Sequence, residues 1–209
     1  MLHKLVLKYG GAPVEQADKA LIMLHGRGGT ADDILSISQY LNLTGFALIA
    51  PQASNRTWYP YSFLAPSKEN EPWLSSAVEV VGETVEKVLN AGIAAERIYF
   101  LGFSQGACLT LEFTARNARR YGGIVAFTGG LIGDEINASN YKGDFEQTPV
   151  LLSTGDPDAH VPVDRVMASA EYIKGMNASV VEKVYPGKSH SISMKEIDLA
   201  NQLIFGNKS

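Results

Sequence analysis

Apolar residues along this chain fall into short continuous runs that alternate with longer stretches where they recur at helical spacing. Residues 20–24 (ALIML), 45–51 (GFALIAP), 98–101 (IYFL), 122–128 (GGIVAFT), 149–154 (PVLLST) and 179–185 (SVVEKVY) read as strands, nearly all of them apolar enough to be covered on both faces. Residues 2–9 alternate and predict one more strand, ended by Gly10, Gly11 and Pro13. Helices are predicted between them. One starts at Thr30, with Asp33 three residues on, and runs to about residue 41. A second follows a Ser76/Glu79 capping box, carries Val78, Val81, Val85, Val88 and Leu89 on one face, and stops at Gly92. Others span residues 105 to about 119 and 163–174, and a last one follows the pair Ser193/Glu196 with Ile197, Ala200, Leu203 and Ile204 on its face.

Strands alternating with helices predict an α/β fold, a mostly parallel central sheet covered by helices on both faces. The first two strands lack a helix between them and predict an antiparallel edge. Two segments break the pattern. Residues 132–147 are polar and irregular, and residues 52–73 carry Trp58, Tyr59, Tyr61, Phe63 and Trp73 among prolines 60, 66 and 72. A long irregular segment inside an otherwise regular chain is a candidate binding loop.

Composition narrows the picture. A length of 209 residues with 45% hydrophobic and 19% charged content fits a single domain over residues 1–209. The formal net charge of −4 provides no field to attract nucleic acid or an anionic membrane. One cysteine excludes an internal disulfide, and no run approaches membrane-spanning length. The opening MLHKLVLKY has lysines within its apolar run and no small-residue cleavage site, so a cytoplasmic location is expected. No H-E-x-x-H, C-x-x-C or carboxylate–histidine cluster occurs, so neither a metal nor a cofactor is expected.

Candidate chemistry centres on Gly102-Phe103-Ser104-Gln105-Gly106, a G-x-S-x-G sequence with a strand ahead of it and a helix behind. A serine at the tip of so tight a turn has strained backbone angles, and side chains two residues either way would collide, so glycines flank it. The turn exposes the hydroxyl and leaves the Gln105 amide at a helix mouth, where an oxyanion would form. A serine hydroxyl becomes a nucleophile only when an imidazole takes its proton, and a carboxylate must hold that imidazole in one tautomer. Of the four histidines, His190 sits in a loop between a strand and a capped helix and is the best base. His3 lies in a strand, His25 is expected to order its loop, and His160 follows the acidic loop too closely to face its carboxylate. In the chain order serine, acid, histidine of the α/β-hydrolases the acid would lie on a strand end between Ser104 and His190, which points to the loop holding Asp156 and Asp158; spacing does not choose between them. The amide of Arg27, after the second strand, is the expected partner of the Gln105 amide. Cys108 reads as a small core residue.

Taken together, Leu24-His25-Gly26, Ala50-Pro51, residues 102–107 (GFSQGA), Gly155-x-x-Asp158-x-x-Val161-Pro162 and Gly187-x-x-His190 resemble the phospholipase/carboxylesterase family of serine α/β-hydrolases, which includes the acyl-protein thioesterases. The resemblance covers nearly the whole chain in order. It implies Ser104 as nucleophile, Asp158 rather than Asp156 as acid and His190 as base. It also implies a small-molecule ester or thioester substrate and an α/β-hydrolase fold, here too short for a separate cap domain. A homo-oligomer is compatible with it. The family tends to have H-G-L-G-D where this chain reads His25-Gly26-Arg27-Gly28-Gly29, and the segment Thr57-Trp58-Tyr59-Pro60 also departs. Trp58, Tyr59 and Phe63 are expected to wall the substrate groove, with plain packing as the alternative for these aromatics. Two rival readings remain. One is a catalytically silent fold, and the other a dinucleotide site, because Gly26–Ala31 fits G-x-G-x-x-A although the next strand ends in Ala50-Pro51-Gln52 without an acid for a ribose.

Overall fold

Seven strands form one sheet in the order β1-β3-β2-β4-β5-β6-β7 in a computed structural model that describes residues 2–206. They are β1 (Leu7–Gly11), β2 (Lys19–Leu24), β3 (Phe46–Pro51), β4 (Ile98–Phe103), β5 (Gly123–Phe127), β6 (Pro149–Asp156) and β7 (Ser179–Pro186). Only β1 is antiparallel to its neighbour. Successive residues of a strand face opposite sides, and the strands use both faces for apolar contact. Along β2, Ala20, Ile22 and Leu24 join the core under helices α2 (Trp73–Asn90), α3 (Gln105–Arg116) and α4 (Val163–Gly175). Leu21 and Met23 join the other, under α1 (Ala31–Ser36) and α5 (Met194–Ala200). This double coverage is why the runs are apolar without alternation. The result is the mostly parallel sheet covered by helices on both faces that the alternation of strands and helices predicts.

Four expectations shift. β1 does lie at an antiparallel edge, but it pairs with β3 and not with β2, because β3 and β4 already occupy the two sides of β2. It also begins later than the alternation suggests. The preceding segment turns away from the sheet, and the amides of Leu2 and His3 both donate to Ser76 Oγ. That use of Ser76 is the third change. Helix α2 begins at Trp73, and the Glu71 carboxylate accepts from the Ser75 amide, so Ser76 sits inside the helix and anchors the N-terminal segment instead of capping. The Thr30/Asp33 and Ser193/Glu196 boxes do form. Helix α1 is shorter than its pattern and continues as a 3₁₀ turn, Ile37–Tyr40.

The chain passes from β2 to β3 on one side and then crosses to β4 on the other. The loops after β2 and β4 therefore diverge at the point where strand order reverses, the usual place for a site in such sheets. The irregular segment after β5 is fastened from below by Glu112 of α3, whose side chain is fully buried. Its Oε2 accepts from the Ile132 amide at 3.1 Å and the Tyr141 hydroxyl at 2.9 Å, and its Oε1 pairs with Arg116 at 2.8 Å. Glu112→Ala strands two buried donors and one cation, and the expected loss is about 3 kcal/mol. Urea unfolding measures it; a loss under about 1 kcal/mol would show that the segment does not depend on this carboxylate.

Candidate active site

Ser104 holds φ 55° and ψ −119°, a strained conformation for a residue with a side chain. Its neighbours explain how the strain persists. A Cβ on Gly102 would stand 2.3 Å from the Gly106 carbonyl oxygen, and one on Gly106 would stand 2.2 Å from that of Leu24 in the adjacent strand. The clash at 102 is across the turn, as the sequence suggests; the clash at 106 is with β2. Hydrogen at both positions lets α3 start directly against the strand ends.

The hydroxyl meets a continuous hydrogen-bonded path. Ser104 Oγ donates to His190 Nε2 at 2.8 Å, and His190 Nδ1 donates to Asp158 Oδ2 at 2.8 Å. Asp158 Oδ1 accepts from the amides of His160 and Val161 at 2.8 and 2.9 Å. These bonds turn the carboxylate toward the imidazole, while Asp156 ends β6 exposed to solvent. Burial raises the Asp158 carboxyl, but the amides and the His190 ring outweigh it and hold it below the ordinary carboxylate range.

The loop carrying His190 rests on a buried ion pair. Lys188 Nζ lies 3.3 Å from Glu196 Oε2 and donates to the Ser191 carbonyl at 2.5 Å. Glu196 is fully buried, accepts from Ser153 Oγ of β6 at 2.6 Å and closes the capping box of α5. One carboxylate thus joins β6, α5 and the loop between β7 and α5. A capping pattern shows only the local half of that role.

The other histidines do structural work. His3 is buried, accepting from the Ser54 amide and donating to the Trp58 carbonyl. Its place is before β1, not within it. His25 donates from Nδ1 to the Gly26 carbonyl at 2.8 Å and accepts at Nε2 from the Ala53 amide at 3.2 Å. Burial holds it below the usual imidazole range, against the opposing effect of the Gly26 bond. The rings of His160 and His190 meet in a T-shaped contact, with centroids 5.1 Å apart. Burial pushes the Cys108 thiol up to about 12, which leaves it protonated at neutral pH.

A cavity of about 700 Å³ opens over Ser104 and His190, with Tyr59 and Phe63 on one side and Val161 and Pro162 on another. Trp58 is not part of that wall. It is 0% exposed, its indole N–H donates to the His25 carbonyl at 2.9 Å, and its ring packs between His3 and His25. An indole needs one acceptor and otherwise apolar cover, and the loop beneath the site provides both.

Two side chains acquire roles that sequence patterns did not indicate. Gln105 Nε2 donates to the Tyr59 carbonyl at 2.7 Å, and its Oε1 accepts from the Trp58 amide at 2.9 Å. Arg27 donates to Thr57 Oγ1 and to the carbonyls of Pro60 and Tyr61 at 2.7–3.0 Å. Both fasten residues 57–61, and both contacts are too distant in sequence for any local signal. Their amides remain available. That of Arg27 makes no hydrogen bond among the described residues, and that of Gln105 is the first of α3 and has no intrahelical acceptor. The dinucleotide reading fails at the adjacent turn. Ala31 donates its amide to Gln52 Oε1, Thr30 and Asp33 satisfy each other, and Gly28 donates to the Arg56 carbonyl, so no cluster of free amides awaits a phosphate.

A model of the phospholipase/carboxylesterase family matches residues 11–205. The chain belongs to that family. A crystal structure of a phospholipase/carboxylesterase from Dyadobacter fermentans is 57% identical and superposes with a TM-score of 0.97 over 99% of both chains. Acyl-protein thioesterase 1 of Saccharomyces cerevisiae is 30% identical over 91% of this chain and 93% of its own length. A probable carboxylesterase SOBER1-like protein of Arabidopsis thaliana is 32% identical over 64% of this chain, and the match spans about half of that relative, 51%. Among the described residues no helix is long and apolar enough to cross a membrane.

Within this phospholipase/carboxylesterase fold the Asp158 carboxylate has a signature in acid. The unfolded group titrates near ~3.9 and the folded one lower, so its ionisation favours the folded state above about pH 4. That contribution disappears as pH falls through the lower folded value. Asp158→Asn is therefore expected to lower stability at pH 6, by an amount that shrinks as the pH falls below about 4. Urea midpoints across this range test it, and a constant gap between the two proteins would contradict it.

Proposed function

We propose that this chain is a serine hydrolase that cleaves carboxylic esters through an acyl-enzyme. The observation that carries the reading is the unbroken path Asp158–His190–Ser104 opening on a cavity beside two unengaged amides. In this mechanism Ser104 Oγ attacks the ester carbonyl while His190 Nε2 takes its proton, and the Asp158 carboxylate stabilises the imidazolium without itself being protonated. The amides of Arg27 and Gln105 receive the negative charge of the tetrahedral oxygen. His190 then gives its proton to the departing alcohol, and water, deprotonated by the same ring, releases the acid and restores Ser104. Tyr59 and Phe63 form the wall against which the substrate lies.

A thioester substrate is the second reading, and the similarity to acyl-protein thioesterase 1 over nearly the whole of both chains favours it. The same steps serve it, with a thiol as the leaving group. Comparing kcat/KM for matched butanoyl esters and thioesters separates the two.

A fluorophosphonate probe tests the central assignment. The intact protein is expected to become labelled and Ser104→Ala to remain unlabelled, with kcat for ester hydrolysis reduced at least ~10⁴-fold. Equal labelling of both proteins would move the nucleophile to another residue.

A further inference from the structure

The cavity over Ser104 carries an electrostatic feature that ester hydrolysis alone does not require. Its lining includes no Asp or Glu and one permanently charged side chain, Arg27. Arg27 forms no ion pair among the described residues, although the chain as a whole has a net charge of −4. The guanidinium is also held in place. Thr57 Oγ1 and the carbonyls of Pro60 and Tyr61 take three of its N–H groups, all of them neutral acceptors. A guanidinium has five N–H groups in a rigid plane, so two are left without a protein partner among the described residues. A fixed cation with free donors, at the rim of a cavity without carboxylates, is suited to a planar anion.

We propose that Arg27 selects substrates, and that the preferred ester or thioester carries a second, ionised carboxylate. The inference rests on the hydrolase reading above and adds the substrate class. A carboxylate suits the two remaining donors, and one guanidinium matches a single negative charge. A dianionic phosphate would leave one charge uncompensated at a single guanidinium. Arg27 therefore has two separable functions: its amide faces the reacting carbonyl, and its guanidinium holds residues 57–61 and binds the distal carboxylate.

Two substrate pairs test this and locate the carboxylate. Para-nitrophenyl hydrogen glutarate against para-nitrophenyl pentanoate places the charge on the acyl side. Para-acetoxybenzoate against its methyl ester places it on the alcohol side. In at least one pair kcat/KM, corrected for spontaneous hydrolysis, is expected to favour the anionic member about tenfold, the effect of one charge-assisted contact. Arg27→Gln is expected to abolish that ratio, and Arg27→Lys to restore part of it. Raising the salt concentration should lower the ratio in the wild type. An Arg27 that only fastens the loop, or only strengthens the field at the oxyanion, would change both members of a pair alike. A ratio near one in both wild-type pairs, or a ratio unchanged in Arg27→Gln, overturns the inference while turnover of the neutral esters leaves the hydrolase reading standing. Failure to turn over any of the four esters, together with absence of fluorophosphonate labelling, overturns both.

Discussion

Ser104 can present its hydroxyl to His190 only while the backbone keeps a conformation that a residue with a side chain avoids. That conformation costs of order 1–3 kcal/mol and persists where the surroundings allow nothing else. Here they do so through contact distances. Strand β4 must end against the first turn of α3, and α3 must start against the carbonyls that end β2, with room only for hydrogen at 102 and 106. The same closeness brings the Gln105 amide next to the loop after β2, where the Arg27 amide lies. The exposed hydroxyl, the two free amides and the packing of helix on sheet follow from one steric constraint.

The rest of the site is arranged to meet that fixed point. Asp158 and His190 follow the neighbouring strands β6 and β7, and each is held by its own set of contacts. Two amides orient the carboxylate. The Lys188–Glu196 pair secures the histidine loop against β6 and α5. Burying two charges is costly, and the pair is sustained because Glu196 also accepts from Ser153 and Ser193. On the opposite side, Arg27 and Gln105 fix residues 57–61 from their side chains. The two residues whose amides are left unengaged beside the cavity thereby also hold one of its walls.

What the sequence shows and what it hides divide along the range of the interactions. The G-x-S-x-G turn, the apolar runs and the Thr30 and Ser193 caps depend on residues a few positions apart, and those are legible. The family pattern adds the order of the serine, acid and histidine segments. Hidden are the features set by contacts across the sheet. Trp58 is as aromatic as Tyr59, and only its distant partners His3 and His25 put it beneath the cavity instead of beside it. Ser76 with Glu79 makes a convincing cap until the amides of Leu2 and His3 claim the hydroxyl. Asp156 and Asp158 differ by where the chain turns after β6, which spacing does not encode. The side-chain roles of Arg27 and Gln105 span more than thirty residues of sequence and leave no local trace.

The central proposal is geometric: a strained serine bonded to an imidazole directs a reacting oxygen to the unengaged amides of Arg27 and Gln105. A crystal structure of the protein after reaction with a small alkyl phosphonate tests it most directly, since the adduct has the tetrahedral shape of the proposed intermediate. The account predicts phosphorus bonded to Ser104 Oγ, with a phosphonyl oxygen within hydrogen-bonding distance of the Arg27 and Gln105 amides. An adduct on another residue, or an oxygen directed away from both amides, would contradict it.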